Sequence, residues 1–181
     1  MKHGRENEAR DGATARFLDL VRRSRRELEQ VMLRGLTPDL AQLAGWEFRG
    51  MNTPVWARAA GIRKFVKGFE RRADQVFGYN RPVRQNRDGE PWLIKGEPFG
   101  WYRVSPVDAS DRDNEYLHAA LLDYGRGGNK LWDPSRGLRD YLVQVEAGDP
   151  DLYLGKAYYA LGPARLGVSF FVIERLRPTP T

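Results

Sequence analysis

The stretch from Leu138 to Leu176, LRDYLVQVEAGDPDLYLGKAYYALGPARLGVSFFVIERL, constrains the fold more than any other part of this chain. Runs rich in β-branched and aromatic residues are separated by two turn signals, AGDPD at 147–151 and LGPAR at 161–165. Tyr141, Val143 and Val145 alternate on the first run, and Tyr153, Tyr158 and Tyr159 sit on the second. On the third, Val168, Phe170 and Val172 alternate, with Phe171 and Ile173 on the other side. Short runs of period two joined by tight turns predict an antiparallel meander.

The same grammar continues upstream. LAGWEFRGMN (43–52), GIRKFVKGF (61–69), QVFGYN (75–80), PFGWYRVSP (98–106) and EYLHAALLDYG (115–125) read as strands, and Asp88-Gly89 is a hairpin signal inside 83–96. No βαβ alternation is present, which argues against a parallel sheet. The expected fold is all-β: an antiparallel up-and-down barrel of about eight or nine strands, large enough to hold one small ligand.

Before the strands, Phe17, Leu20, Val21, Leu28, Val31 and Met32 recur at helical spacing, and Gly35 and Pro38 stop the pattern. The expected organisation is a disordered start over 1–12, an amphipathic helix over 13–36 that leans on the barrel, and a barrel domain over 37–177. There is no signal-type apolar segment and no long uncharged span, so the default expectation is a cytoplasmic protein without a transmembrane segment. The absence of cysteine excludes disulfides, thiolate catalysis and thiolate zinc sites. The formal charge of +6 is uneven: residues 58–87 hold nine Lys/Arg and two acids.

The helix followed by Leu43-Ala-Gly45-Trp46 on the first strand resembles the calycin type of barrel, the group that includes lipocalins, fatty-acid-binding proteins and related haem-binding barrels. Lipocalins carry a Gly-x-Trp on strand one and an arginine near the last strand that packs over the tryptophan. The resemblance implies those roles for Trp46 and Arg175; here Gly45 directly precedes Trp46.

Candidate chemistry is sparse. The two histidines are His3 and His118, so a His-rich metal barrel cannot be built. No cofactor is expected; a haem with His118 as proximal ligand is the alternative that the layout implies. The acidic loop 108–115 lacks the glycine and terminal glutamate of an EF-hand, no serine sits in a nucleophile elbow, and 125–130 is not a P-loop. The expected function is binding of a small, largely apolar molecule with a polar or anionic end inside the barrel. Trp46, Phe65, Trp101, Tyr141, Tyr158 and Phe170 would contact the tail, and Lys64, Lys67 or Arg103 would meet the head. Asp140, if inward, needs Lys64, Lys67 or Arg103 as partner, and an exposed Asp140 is the simpler expectation. The second reading is a cofactor-free isomerase or cyclase that uses His118 or a tyrosine as acid/base. The third is a basic surface for nucleic acid or acidic lipid, from the Arg/Lys and aromatic mixture of 58–87.

Overall fold

A computed structural model describes residues 12–180. Eight strands close an antiparallel barrel in sequence order: β1 (Trp46–Asn52), β2 (Lys64–Arg72), β3 (Gln75–Pro82), β4 (Phe99–Pro106), β5 (Ala120–Asp123), β6 (Leu138–Gln144), β7 (Leu152–Leu161) and β8 (Ala164–Pro178). Each strand pairs with the next, and β8 returns to β1. Closure leaves no free sheet edge. The C-terminal meander forms as the sequence predicts, with β6, β7 and β8 as consecutive antiparallel partners. The residues from 1 to 11, most of the segment read as disordered, lie outside the described residues.

The helical segment is broken in two. α1 (Ala15–Arg22) ends at Arg23, and α2 (Arg25–Arg34) starts from Ser24. The cause is a capping box: Ser24 Oγ accepts from the Glu27 amide at 3.3 Å, and the Ser24 amide donates to Glu27 Oε2 at 2.8 Å. Two short helices, α3 (Leu40–Leu43) and α4 (Trp56–Ala59), flank β1. Among the described residues no helix is long and apolar enough to cross a membrane.

The run 115–125 is not one strand. Only Ala120–Asp123 pairs, because the Ala119 amide turns back to the Tyr116 carbonyl at 3.0 Å and Tyr116 is drawn to Glu29 of α2 and to Lys156. The turn at Asp88-Gly89 forms, with the Glu90 amide on the Arg87 carbonyl, but its arms share a single bridge, Val83 with Ile94.

Both faces of the sheet are buried over much of its area. α1 and α2 cover the outside, where Phe17, Leu20, Leu28 and Met32 pack with Val66, Tyr141, Val143, Leu154 and Val172. Inside, Phe48, Phe69, Tyr102, Leu142, Tyr153 and Ile173 pack with Leu43 of α3. Edge-to-face contacts run from Tyr153 through Phe48 (5.6 Å) and Phe69 (5.4 Å) to Tyr102 (5.8 Å). This aromatic plug fills the half of the barrel nearest α3. The other half, toward the β1–β2, β3–β4, β5–β6 and β7–β8 connections, holds the cavity.

Candidate functional site: a polar cluster at the floor of a barrel cavity

The cavity has a volume of about 410 Å³ and opens between the loops of that end. Phe65, Leu138, Ala157, Val168 and Phe171 give it apolar walls, and Lys67, Asn80, Tyr124 and Asp140 close its floor. Strand alternation places each floor residue. β2 turns Phe65, Lys67 and Phe69 inward together, and β6 turns Asp140 inward between Leu138 and Leu142. Tyr124 lies just past β5, at the start of a 3₁₀ turn. The Asp123 carboxylate caps that turn by accepting from the amides of Gly125 (2.7 Å) and Arg126 (3.3 Å). Asn80 sits where the register of β3 on β4 shifts. Opposite it, Gly100 has φ +55°, and a Cβ there would stand 3.0 Å from Asn80 Nδ2.

Lys67 uses all three of its ammonium donors within this cluster. They reach Tyr124 Oη at 2.6 Å, Asp140 Oδ2 at 3.0 Å and Asn80 Oδ1 at 3.1 Å. The Tyr124 hydroxyl donates to Asp140 Oδ2 at 3.1 Å, and Asn80 Nδ2 donates to the Gly100 carbonyl at 3.0 Å. The Tyr102 and Phe171 rings lie 4.6 and 5.1 Å from the ammonium. Asp140 Oδ1 accepts no hydrogen bond from the described residues, yet it is not sealed off, so it presents an acceptor to the cavity.

Burial pushes the Lys67 amine below its ordinary value, and neighbouring Asp140 opposes that shift. Burial, reinforced by the Asp140 charge, holds the Tyr124 and Tyr102 phenols well above theirs. The cluster as a whole is one ion pair with no net charge. An arrangement of this kind can hydrogen-bond a polar ligand end and can hold a proton close to a phenol and an amine.

The structure distributes the sequence-predicted residues over both sides of the wall. Phe65 and Lys67 line the cavity. Lys64 borders it, but its ammonium points outward to Asn86 Oδ1 (2.6 Å) and the carbonyls of Glu90 (2.7 Å) and Arg87 (3.1 Å), 3.7 Å from the Trp92 ring centre. Burial lowers that amine to about 8. Trp46 is inward but at the α3 end, beyond the aromatic plug, where Arg175 packs 4.4 Å from its ring centre. Trp101 and Arg103 are on the outer surface. Trp101 packs on Tyr79 and Arg72, and Arg103 lines a groove with Asp123 and Arg126. Tyr141, Tyr158 and Phe170 also face outward, into the core that α2 covers. Expecting those residues inside the barrel misses that the helices make the outer face apolar. His118 is outside too, with Nε2 2.9 Å from the Met32 carbonyl. Asp140, expected to be exposed, is buried inward against Lys67, because it shares the inward parity of Leu138 and Leu142 on β6.

Sequence reasoning missed Asn80 and Tyr124. Asn80 reads as a turn residue before Pro82. Tyr124 shares the parity of Ala120 and Leu122, a signal that could have placed it inward once β5 was known to start at Ala120. Among the described residues no group of three His, Asp or Glu could hold a metal ion. Searches of protein-family models, curated proteins and solved structures return no significant match to this chain.

Proposed function

We propose that this barrel binds one small, largely apolar molecule, with the ligand's polar end on the Lys67–Asn80–Tyr124–Asp140 floor. One observation carries the reading: an open cavity of about 410 Å³ with aromatic and aliphatic walls ends on a buried polar cluster that keeps one acceptor, Asp140 Oδ1, toward the space. Apolar pockets with a few convergent polar groups are the usual design for small-molecule sites. The floor favours a polar end that donates a hydrogen bond, such as a hydroxyl or amide. An anionic end would compete with Asp140 for Lys67, whose donors are already occupied. The packing of Arg175 over Trp46 at the closed end supports a calycin-like reading of the barrel.

Titration with a fluorescent long-chain alcohol probe tests this. Wild-type protein should saturate at one probe per chain. Ala157→Phe, which places a ring in the cavity, should abolish binding while circular dichroism stays unchanged. Equal binding by both proteins would move the ligand elsewhere.

A second reading, a cofactor-free isomerase or cyclase, is favoured by the position of Tyr124 between Lys67 and Asp140 at the cavity floor. In that case Tyr124→Phe would keep ligand affinity and lose turnover.

A further inference from the structure

The mouth of the cavity is also where exposed apolar side chains gather. Among the described residues, ten of the thirteen exposed large hydrophobic residues lie on the mouth-end connections or on the strand ends that meet them. Val55, Trp56 and Ile62 come from the β1–β2 connection, Phe99 from the start of β4, and Leu131 and Trp132 from the β5–β6 connection. Val55 is 88% exposed, Leu131 83% and Trp132 79%. None of these tips packs a core, and leaving such residues in water has to be explained.

Charge is divided along the same axis. The mouth-end connections 53–63, 83–98, 124–137 and 162–163 hold eight Lys/Arg and four acids. The connections at the opposite end, 37–45, 73–74, 107–119 and 145–151, hold nine acids and one arginine. Of these, 107–119 folds back along the wall, so that Asp111 pairs with Arg126 and Asp113 with Arg139 and Arg165 of the mouth end, and seven acids remain outside those pairs. Adding Arg71, Arg72, Arg175 and Arg177 from the adjoining strand ends leaves that end negative. The α1–α2 corner adds to the positive end. Arg22, Arg23, Arg25 and Arg26 are exposed there, and Arg23 and Arg25 share a hollow of about 290 Å³ with Val55, Trp56 and Val168.

We infer that the mouth end docks on an anionic lipid bilayer, with Val55, Trp56, Leu131 and Trp132 entering the headgroup region and the α1–α2 arginines against the phosphates. Aliphatic and tryptophan tips ringed by arginine suit that interface: each basic residue near an anionic surface contributes attraction, and buried apolar area adds to it. The acidic far end is repelled, which fixes the orientation. Apolar tips on separate connections round one opening fit a deformable surface better than a single rigid groove. A polynucleotide would use the arginines but has no use for Val55 and Leu131. Docking would put the cavity mouth against the bilayer, and it stands whether or not the cavity is the ligand site.

The chain has no cysteine, so single labels can be placed at will. Val55→Cys, Leu131→Cys and Ala147→Cys, the last on the exposed β6–β7 turn, would each carry an environment-sensitive fluorophore. The vesicles are phosphatidylcholine alone or with phosphatidylglycerol. Anionic vesicles should raise emission several-fold at 55 and 131 and leave 147 unchanged, and added salt should reverse the effect. In sedimentation, unlabelled Val55→Asp/Leu131→Asp should bind about tenfold more weakly, with its melting temperature and cavity-probe affinity kept. No binding to anionic vesicles, a response at 147, or an unchanged double variant would overturn the inference. So would single-stranded DNA binding at least as tight that ignores the double variant, or label responses that need only high protein concentration, which would mean a second copy covers the face.

Discussion

Asn in place of Asp140 removes one charge from a pair whose side chains are 3% and 4% exposed. Solvent therefore screens little of the loss. The Lys67 ammonium would keep only neutral acceptors, Tyr124 Oη and Asn80 Oδ1. Breaking a buried pair from one side costs about 3–5 kcal/mol, a large share of the ~5–15 kcal/mol that holds a domain together. Lys67→Met should cost a similar ~3–5 kcal/mol, because it leaves the Asp140 carboxylate with the Tyr124 hydroxyl alone. The double variant Lys67→Met/Asp140→Asn carries no buried ion and should lie within about 2 kcal/mol of wild type, since a buried pair contributes little net stability against neutral replacements. The coupling from the cycle should thus be about 4 kcal/mol or more. Urea unfolding at neutral pH, followed by tryptophan fluorescence, measures all four proteins. The Asp140→Asn deficit should also shrink at alkaline pH. Lys67 titrates below its ordinary 10.5 in the folded state, so between those values the unfolded chain binds more protons and stability rises with pH. Single variants that cost under ~1 kcal/mol and add in the double would show a pair solvated like a surface one, and would refute the reasoning.

Burial holds Tyr79 and Tyr153 up at about 12, and Tyr102 and Tyr124 well above the ordinary phenol value. Above pH ~10 the folded state therefore keeps protons that the unfolded chain loses, and stability should fall by up to ~1.4 kcal/mol per pH unit for each such tyrosine. Phenolate absorbance should accordingly rise with unfolding; gradual titration of the native protein would contradict this. A Cβ on Gly127 would stand 1.9 Å from the Trp101 carbonyl oxygen, a backbone atom that cannot swing away. Gly127→Ala should lower stability by about 1–3 kcal/mol or more in thermal melts, whereas Gly89→Ala, with open space round it, should not. Lys64→Met should speed amide exchange across 84–95, because that ammonium ties down two loop carbonyls and Asn86; unchanged exchange would show that Trp92 alone seats the loop.

The barrel was legible because its strands are rich in β-branched and aromatic residues and are separated by Gly and Pro turns, most clearly from Leu138 to Leu176. The helix break was also written in the sequence, as the Ser24–Glu27 capping box, but helical periodicity runs through it. Which face points inward was not legible for β7 and β8. Phe170 and Val172 face the helices while Phe171 and Ile173 face the interior, and both sets are buried. Period two separates faces only when one of them meets water. The same ambiguity put Tyr141 and Tyr158 on the wrong side of the wall. Of the floor, Lys67 was legible only as one of three candidate cations with Lys64 and Arg103, and Asp140 only as a residue that would need one of them if it pointed inward. Asn80 and Tyr124 join them through the β3–β4 register shift and the Asp123-capped turn, features that depend on pairing between strands far apart in the chain.

The central claim, that the barrel cavity holds one amphiphilic molecule on the Lys67–Asp140 floor, is tested most directly by native mass spectrometry of the purified chain beside Ala157→Phe, before and after incubation with a long-chain alcohol. One adduct per wild-type chain, lost in Ala157→Phe, is the predicted result. The same adduct on both proteins, or none on either at saturating alcohol, would contradict it.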